Sequence, residues 1–165
     1  MISLSDINAM PRIDFIDAFG DVAEHSPWVA EEAWFKQPFA NRDDLIHAFE
    51  AALRSAPGEA KLALIRAHPD LATRAKLTMD SFGEQTGAGL DRLTQAEFKR
   101  FTEFNEVYKA RFGFPFILAV KGASKVQILA AFESRINNSA DMEFETALTQ
   151  IGRIFRFRLE DRVSP

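Results

Sequence analysis

The sequence predicts an all-α fold, a single-domain bundle of about seven to nine helices that spans residues 1–165. Three observations predict it. Apolar residues recur at helical spacing along most of the chain, helix caps and breakers lie at the ends of these stretches, and the period-2 alternation of strands is rare. A domain of this length buries roughly 70% of its unfolded surface, so one core is sufficient. The only short apolar run that could be extended is Phe116 to Val120.

Start and stop signals place most of the helices in order. The predicted helices cover residues 11–19, 27–34, 43–55, 61–67, 95–112, 125–136 and 141–161. Predicted N-caps are Ser26, Asn41, Thr94 and Ser124, because a side-chain oxygen there can accept from a free amide of the first turn. The helix that ends at residue 67 stops there because Pro69 disfavours helical geometry in the residue before it.

Composition narrows the class of protein. Sixteen Phe against one Tyr and two Trp indicate a core of aromatic rings without polar atoms. The net charge of −4 argues against nucleic acid as the main partner. Without Cys there is no disulfide, thiolate metal site or Cys nucleophile. No apolar run approaches a membrane span, and the N-terminus lacks the pattern of a signal peptide, so we expect a soluble cytoplasmic protein.

His68 is the first candidate for chemistry. It precedes Pro69 at a helix break, where a rigid backbone would hold an imidazole for proton transfer near neutral pH. Asp70 is close enough in sequence to orient it or to cap a helix. A helix-terminal histidine bonded only to backbone is the alternative. His25 and His47 are predicted to be surface or packing residues.

Ser81 to Gln85 form the second candidate segment. The spacing of Ser81 and Glu84 is that of a capping box, so one interpretation is a helix that starts with Ser81 as its cap. A functional interpretation is compatible with it, because a helix N-terminus presents free N–H groups to an anion.

Arg158 is the third candidate. In the last predicted helix an apolar stripe runs through Leu148, Ile151 and Phe155, and the next step along it is Arg158. A guanidinium on a core-facing line needs an anionic partner, either a carboxylate of the protein or a ligand. Snorkelling of the side chain to solvent near the helix end is the alternative.

The run from Phe116 to Val120 has two interpretations. If it lies extended beside a pocket, its peptide groups could bind the edge of a heterocycle; otherwise it is a buried connector. The sequence also lacks a Gly-rich phosphate loop. The carboxylate-x-x-His spacing at Asp44 and His47 has no second copy, so no metal site is predicted.

Taken together, three segments in this order resemble the 2-oxo-4-hydroxy-4-carboxy-5-ureidoimidazoline (OHCU) decarboxylases of urate breakdown. They are His68 to Ala72, Ser81 to Gln85 continuing to Leu90, and Arg111 to Phe116 continuing to Ala119. The resemblance covers nearly the whole chain. One departure is a segment between Ala72 and Ser81 that is shorter than in animal members of the family.

The resemblance implies a role for each matching residue. His68 would be the catalytic acid/base, Glu84 would assist it, and Arg158 would lie in the pocket. The positions implied to contact substrate are Pro69, Ser81, Phe82, Gly83, Glu84, Gln85, Phe116, Ile117, Leu118, Ala119 and Val120. At Phe82 and Gly83, where this chain differs from animal members, only backbone contacts carry over.

The resemblance also implies a cofactor-free, commonly dimeric helical enzyme whose product is (S)-allantoin. The substrate's carboxylate lies next to a ring C=N group that can accept the electrons left by CO2, so no cofactor or metal is needed as an electron sink. Two other classes stay open. One is a non-catalytic helical interaction module in which His68, Glu84 and Arg158 are unrelated, and the other is a metal-dependent hydrolase of the same pathway.

Overall fold

The fold is entirely helical in the parts of the chain that the computed structural model describes, residues 1–73 and 78–165. Residues 74–77, within the segment predicted to be short, lie outside that description. The described residues form nine helices and no strand, which confirms the predicted fold class: α1 (Leu4–Asn8), α2 (Arg12–Phe19), α3 (Trp28–Trp34), α4 (Arg42–Ser55), α5 (Gly58–Ala67), α6 (Met79–Gly87), α7 (Gln95–Phe112), α8 (Lys125–Arg135) and α9 (Ala140–Arg162). Each of these helices is too short or too polar to cross a bilayer.

Most of the predicted helix ends are confirmed by their capping contacts. The side chains of Asn41, Thr94 and Ser124 each accept a hydrogen bond from the backbone N–H three residues on, at the starts of α4, α7 and α8. Gly113 ends α7 with a φ of 76°, in the left-handed region that glycine adopts at little cost.

Among helices α1 to α5, two predicted starts are wrong. Ser26 does not cap α3, because its hydroxyl donates to the carbonyl of Glu24 and Pro27 occupies the N-cap position instead. Helix α5 begins at Gly58, three residues earlier than predicted. The Pro57 carbonyl accepts from the amide of Lys61, so this proline belongs to the start of α5.

Packing divides the described residues into two compact units. The first comprises residues 1–67 and 152–165, and the second comprises residues 68–151. Helix α9 contributes residues to both. That residues 1–165 form a single domain stays a prediction.

Phenylalanine rings fill the core of the first unit, as the composition predicts. The ring of Phe15 lies 5.0 Å from that of Phe19 and 6.3 Å from that of Phe49, and Phe49 lies 6.1 Å from Phe155. All four side chains are fully buried.

A second aromatic cluster forms the core of the other unit. The rings of Phe116 and Phe132 stack with their centroids 3.7 Å apart, and Tyr108 meets Phe116 edge-on at 5.2 Å. This cluster therefore fixes the start of the 116–120 run against α7 and α8.

Candidate active site

His68 is the first residue after α5 and lies almost wholly inside the protein. It is 8% exposed, while Pro69 beside it is half-buried. The helix ends before Pro69, as the sequence predicts. A buried imidazole at a fixed chain position is a suitable group for proton transfer shielded from bulk water.

The residues after Pro69 are held by side chains from two other helices. The N–H of Ala72 donates to Gln85 Oε1 at 2.9 Å, and Gln85 Nε2 donates to the carbonyl of Asp70 at 3.4 Å. From α7, Asn105 Nδ2 donates to the carbonyl of Leu71 at 2.8 Å. Ala72 has a φ of 58°, a left-handed conformation that is unfavourable for a residue with a Cβ and needs such support.

That Asp70 orients His68 stays a prediction. The carboxylate of Asp70 accepts from Lys109 Nζ at 2.6 Å, and this ion pair lies at the partly exposed edge of the site. The ion pair with a lysine on α7 therefore holds one oxygen of this carboxylate.

Helix α6 carries the second predicted segment, but it starts two residues before Ser81. Thr78 is the N-cap, and its hydroxyl accepts from the amide of Ser81 at 3.3 Å. The interpretation of Ser81 as the cap is therefore wrong. The amide of Phe82 also donates within this helix, to the carbonyl of Thr78.

Helical geometry sorts the five residues of this segment onto two faces. Ser81, Glu84 and Gln85 are three and four residues apart and share one face, where Ser81 and Gln85 are buried and Glu84 is half-buried. Phe82 is 59% exposed, and a Cβ on Gly83 would meet no neighbour within 4 Å. Helix α6 thus places Ser81, Glu84 and Gln85 together on one face and Phe82 and Gly83 on another.

The run from Phe116 to Val120 is not helical, as predicted, and it is buried except at Leu118. Two of its peptide groups contact side chains. The carbonyl of Ile117 accepts from Arg135 Nη1 at 2.6 Å, and the N–H of Ala119 donates to Gln150 Oε1 at 3.0 Å.

A buried charged cluster anchors this run, and the sequence reasoning missed it. Arg135 Nε donates to Glu143 Oε1 at 2.9 Å, and the guanidinium lies over the ring of Phe116, 4.2 Å from its centroid. Tyr108 donates its hydroxyl hydrogen to the same glutamate, and Asn138 donates to the other oxygen. Burial, and then the hydrogen bond to Glu143, raise the pKa of Tyr108 well above its ordinary value.

Arg158 is buried in the first unit, as its place on the apolar stripe predicts. It is 3% exposed, so the snorkelling alternative is wrong. Its Nη2 contacts Glu24 Oε1 at 3.0 Å and its Nη1 donates to the carbonyl of Val22 at 3.1 Å. The anionic partner of Arg158 in the structure is thus a carboxylate of the protein, that of Glu24. His68 and Glu84 belong to the second unit, and a meeting of Arg158 with them stays a prediction.

His25 and His47 are both exposed, as expected of surface residues. Within residues 1–73 and 78–165, no group of three or more His, Asp or Glu side chains is arranged to hold a metal ion.

A cavity of about 290 Å³ lies in the second unit beside Ala72 and Leu90. Asp91 and Thr94 contribute polar groups to its wall, whereas His68 and Glu84 are not among the residues that line it. None of the predicted site residues lines this cavity.

The family model described as OHCU decarboxylase matches residues 8–160. The chain is 43% identical to the 2-oxo-4-hydroxy-4-carboxy-5-ureidoimidazoline decarboxylase of Haloferax volcanii, over 99% of this chain and 97% of that protein. It is 41% identical to the uric acid degradation bifunctional protein of Bacillus subtilis, where it matches 33% of the longer chain.

Two solved structures share the fold. One is described as a crystal structure of (S)-allantoin synthase, with a TM-score of 0.82 and 30% identity over 99% of this chain and 54% of that chain. The other is a crystal structure of OHCU decarboxylase in the presence of (S)-allantoin, with a TM-score of 0.71 over 85% of this chain. At 22% identity the second supports the fold alone.

Proposed function

Because the chain belongs to the OHCU decarboxylase family, we propose that it catalyses the cofactor-independent decarboxylation of OHCU to (S)-allantoin in urate catabolism. The observation that carries the proposal is the 43% identity to the Haloferax volcanii decarboxylase over nearly the full length of both proteins. A match of that extent covers each of the three segments that hold the predicted site residues.

The reaction needs proton transfers more than an electron sink. When the bond to the carboxylate breaks, its electron pair forms a double bond to the neighbouring ring carbon, and the C=N electrons move to nitrogen. The hydroxyl then gives up a proton and becomes a carbonyl. The carbon and the nitrogen of the former C=N group each gain a proton. One proton is therefore taken up for each CO2 released, and its delivery to one face of the carbon sets the handedness of the product.

His68 is proposed as the group that transfers protons. Its burial and its fixed position before Pro69 support this role. General acid–base catalysis by a positioned side chain contributes about 10²–10⁴-fold to a rate. Glu84, on the half-buried face of α6, is proposed to tune the imidazole or to bind the ureido N–H groups.

The remaining predicted residues are proposed to bind the substrate. Ser81 and Gln85 share a helix face with Glu84 and would hold polar edges of the ligand, Gln85 with the lone pair and the N–H that its bonds to Ala72 and Asp70 leave over. Phe82 and Gly83 would contribute backbone groups only, other than the Phe82 N–H, which donates to Thr78. Pro69 and the run from Phe116 to Val120 would contact the substrate. The run would bind the edge of the heterocycle with peptide groups other than those that Arg135 and Gln150 contact. Arg158 would anchor an anionic group of the substrate.

Assembly as a homodimer and a cytoplasmic location also belong to this proposal. Light scattering on the purified protein tests whether it is a dimer.

The experiment follows freshly generated OHCU by ultraviolet absorbance and circular dichroism, with the protein and without it, because OHCU also decays spontaneously. The proposal predicts faster loss of OHCU and a chiral allantoin signal that the blank lacks. Loss at the blank rate with no chiral signal would contradict it and favour the interaction module. An activity that a chelator abolishes would favour the metal-dependent hydrolase.

A further inference from the structure

We propose that Asn105 is a positioning residue for the decarboxylation, and that it acts on His68 through the backbone that follows it. The inference rests on the proposed function of His68. Asn105 is 6% exposed in the middle of α7, and its Nδ2 donates to the carbonyl of Leu71 at 2.8 Å. Leu71 is three residues from His68, so the bond fixes the chain close to the imidazole.

This bond completes a clamp on three successive residues. Gln85 contacts the carbonyl of Asp70 and the N–H of Ala72, and Asn105 contacts the carbonyl of Leu71 between them. Because Ala72 is in the left-handed region, the segment would relax if these bonds were lost. The clamp therefore maintains a backbone path that the chain does not favour by itself.

The other end of the Asn105 amide points to a role beyond stability. Its Oδ1 is buried and finds no hydrogen-bond donor among residues 1–73 and 78–165. The amide cannot be turned round to relieve this, because Oδ1 would then face the carbonyl oxygen of Leu71. Unsatisfied buried acceptors are rare and unfavourable. An apolar side chain, like Phe101 one turn away, would avoid the penalty but could not hold Leu71.

The effect on the reaction should be one of geometry. A displacement of about 1 Å at a reacting group can lower a rate by about 10²-fold. Loss of the Asn105 bond should move the imidazole of His68 and leave the substrate-binding face of α6 in place. We therefore expect kcat to fall and KM to change little.

The test compares Asn105→Leu with wild type in the assay with fresh OHCU. We expect a loss of about 10- to 100-fold in kcat with KM nearly unchanged. Thr102→Val is the matched control, because Thr102 lies one turn earlier on α7 and its hydroxyl donates only to the carbonyl of Phe98 in the same helix. This control should retain both constants.

A second measurement separates positioning from general damage. In the His68→Ala background, Asn105→Leu should cause no further loss, because the group that it positions is already gone. A further loss of the same size in that background would overturn the proposal. So would a rise in KM at constant kcat, which would mean that Asn105 contributes to substrate binding.

Asn105→Asp keeps the shape of the side chain and serves if the leucine variant does not fold. An ionised carboxylate cannot donate to Leu71, whereas a protonated one can. Its deficit relative to wild type at the same pH should therefore shrink as the pH falls, and a deficit that is constant with pH would contradict the clamp. If the wild type does not accelerate OHCU loss, the proposed function fails. If the wild type accelerates it and the Asn105 variants have the kcat of the wild type, the proposed function stands and only this inference fails.

Discussion

Two non-helical segments of the second unit are supported in different ways. Residues 68–72, the histidine segment, are held by neutral carboxamides and by one partly exposed ion pair. Residues 116–120, the apolar segment, are anchored by Arg135, whose charge is neutralised by the fully buried Glu143. A buried ion pair tolerates the loss of one partner poorly, because the other charge is left without compensation. We infer that stability depends most on the apolar segment, and activity most on the histidine segment.

The largest effect on stability is expected from Arg135→Met. It would leave Glu143 buried without its cation and remove the donor to Ile117, so we expect a loss of about 3–5 kcal/mol in the free energy of unfolding. Arg100→Met is the matched control, since Arg100 also pairs with a glutamate and lies over the ring of Phe104, but at the surface. Urea titration of both variants gives the comparison. Equal losses in the free energy of unfolding would contradict the expectation that burial makes the Arg135 pair more important.

Tyr108→Phe should have an intermediate effect and a distinctive pH dependence. Removal of the hydroxyl takes a donor from Glu143, and hydrogen bonds to charged groups contribute about 1.5–3 kcal/mol. The pKa of Tyr108 is raised in the folded state, mainly by burial, so its proton is retained there at a pH where the unfolded chain has released it. Its stabilising contribution is therefore full below about pH 10 and is lost as the pH rises further.

Tyr108 is the only tyrosine in the chain, so tyrosinate absorbance reports on this residue alone. We expect tyrosinate to appear together with alkaline unfolding, and Tyr108→Phe to unfold less steeply with pH in that range. Tyrosinate formation near pH 10 while the circular dichroism is still native would contradict a buried, hydrogen-bonded phenol.

The smallest effect is expected from Lys109→Met, which removes the ion pair with Asp70 on the histidine segment. The lysine side chain is 44% exposed, so solvent screens the pair, and we expect a loss of about 0.2–1 kcal/mol that shrinks further in salt. Lys99→Met, on the same helix and paired with Glu103, is the control. A loss well above that of the control would mean that charge, and not only the carboxamides, holds the histidine segment.

Local patterns in the sequence predict the helices and the faces of their residues. Caps placed α4, α7 and α8 because a cap needs only its next few residues. The stripe through Phe155 predicted that Arg158 is buried. Its partner Glu24 could not be predicted in the same way, since 134 residues separate the two and no local pattern relates them.

Two buried polar residues that were not predicted, Arg135 and Asn105, also lie on apolar stripes. Arg135 follows Ile128 and Phe132 at steps of four and three, and Asn105 follows Phe101 by four; all of them are buried. A polar residue on an apolar stripe is thus a usable signal. What it cannot give is the identity of the group that the residue contacts, because that depends on tertiary packing. The roles of His68 and Glu84 came from the family resemblance and not from their spacing.

The measurement that tests the account most directly is the turnover of fresh OHCU by purified His68→Ala, with His47→Ala as the control for loss of an exposed histidine. We predict that the His68 variant keeps the helical circular dichroism of the wild type and loses about 10²–10⁴-fold in kcat, while the His47 variant is unaffected. A His68 variant that forms (S)-allantoin at nearly the wild-type rate would contradict the central role of this imidazole.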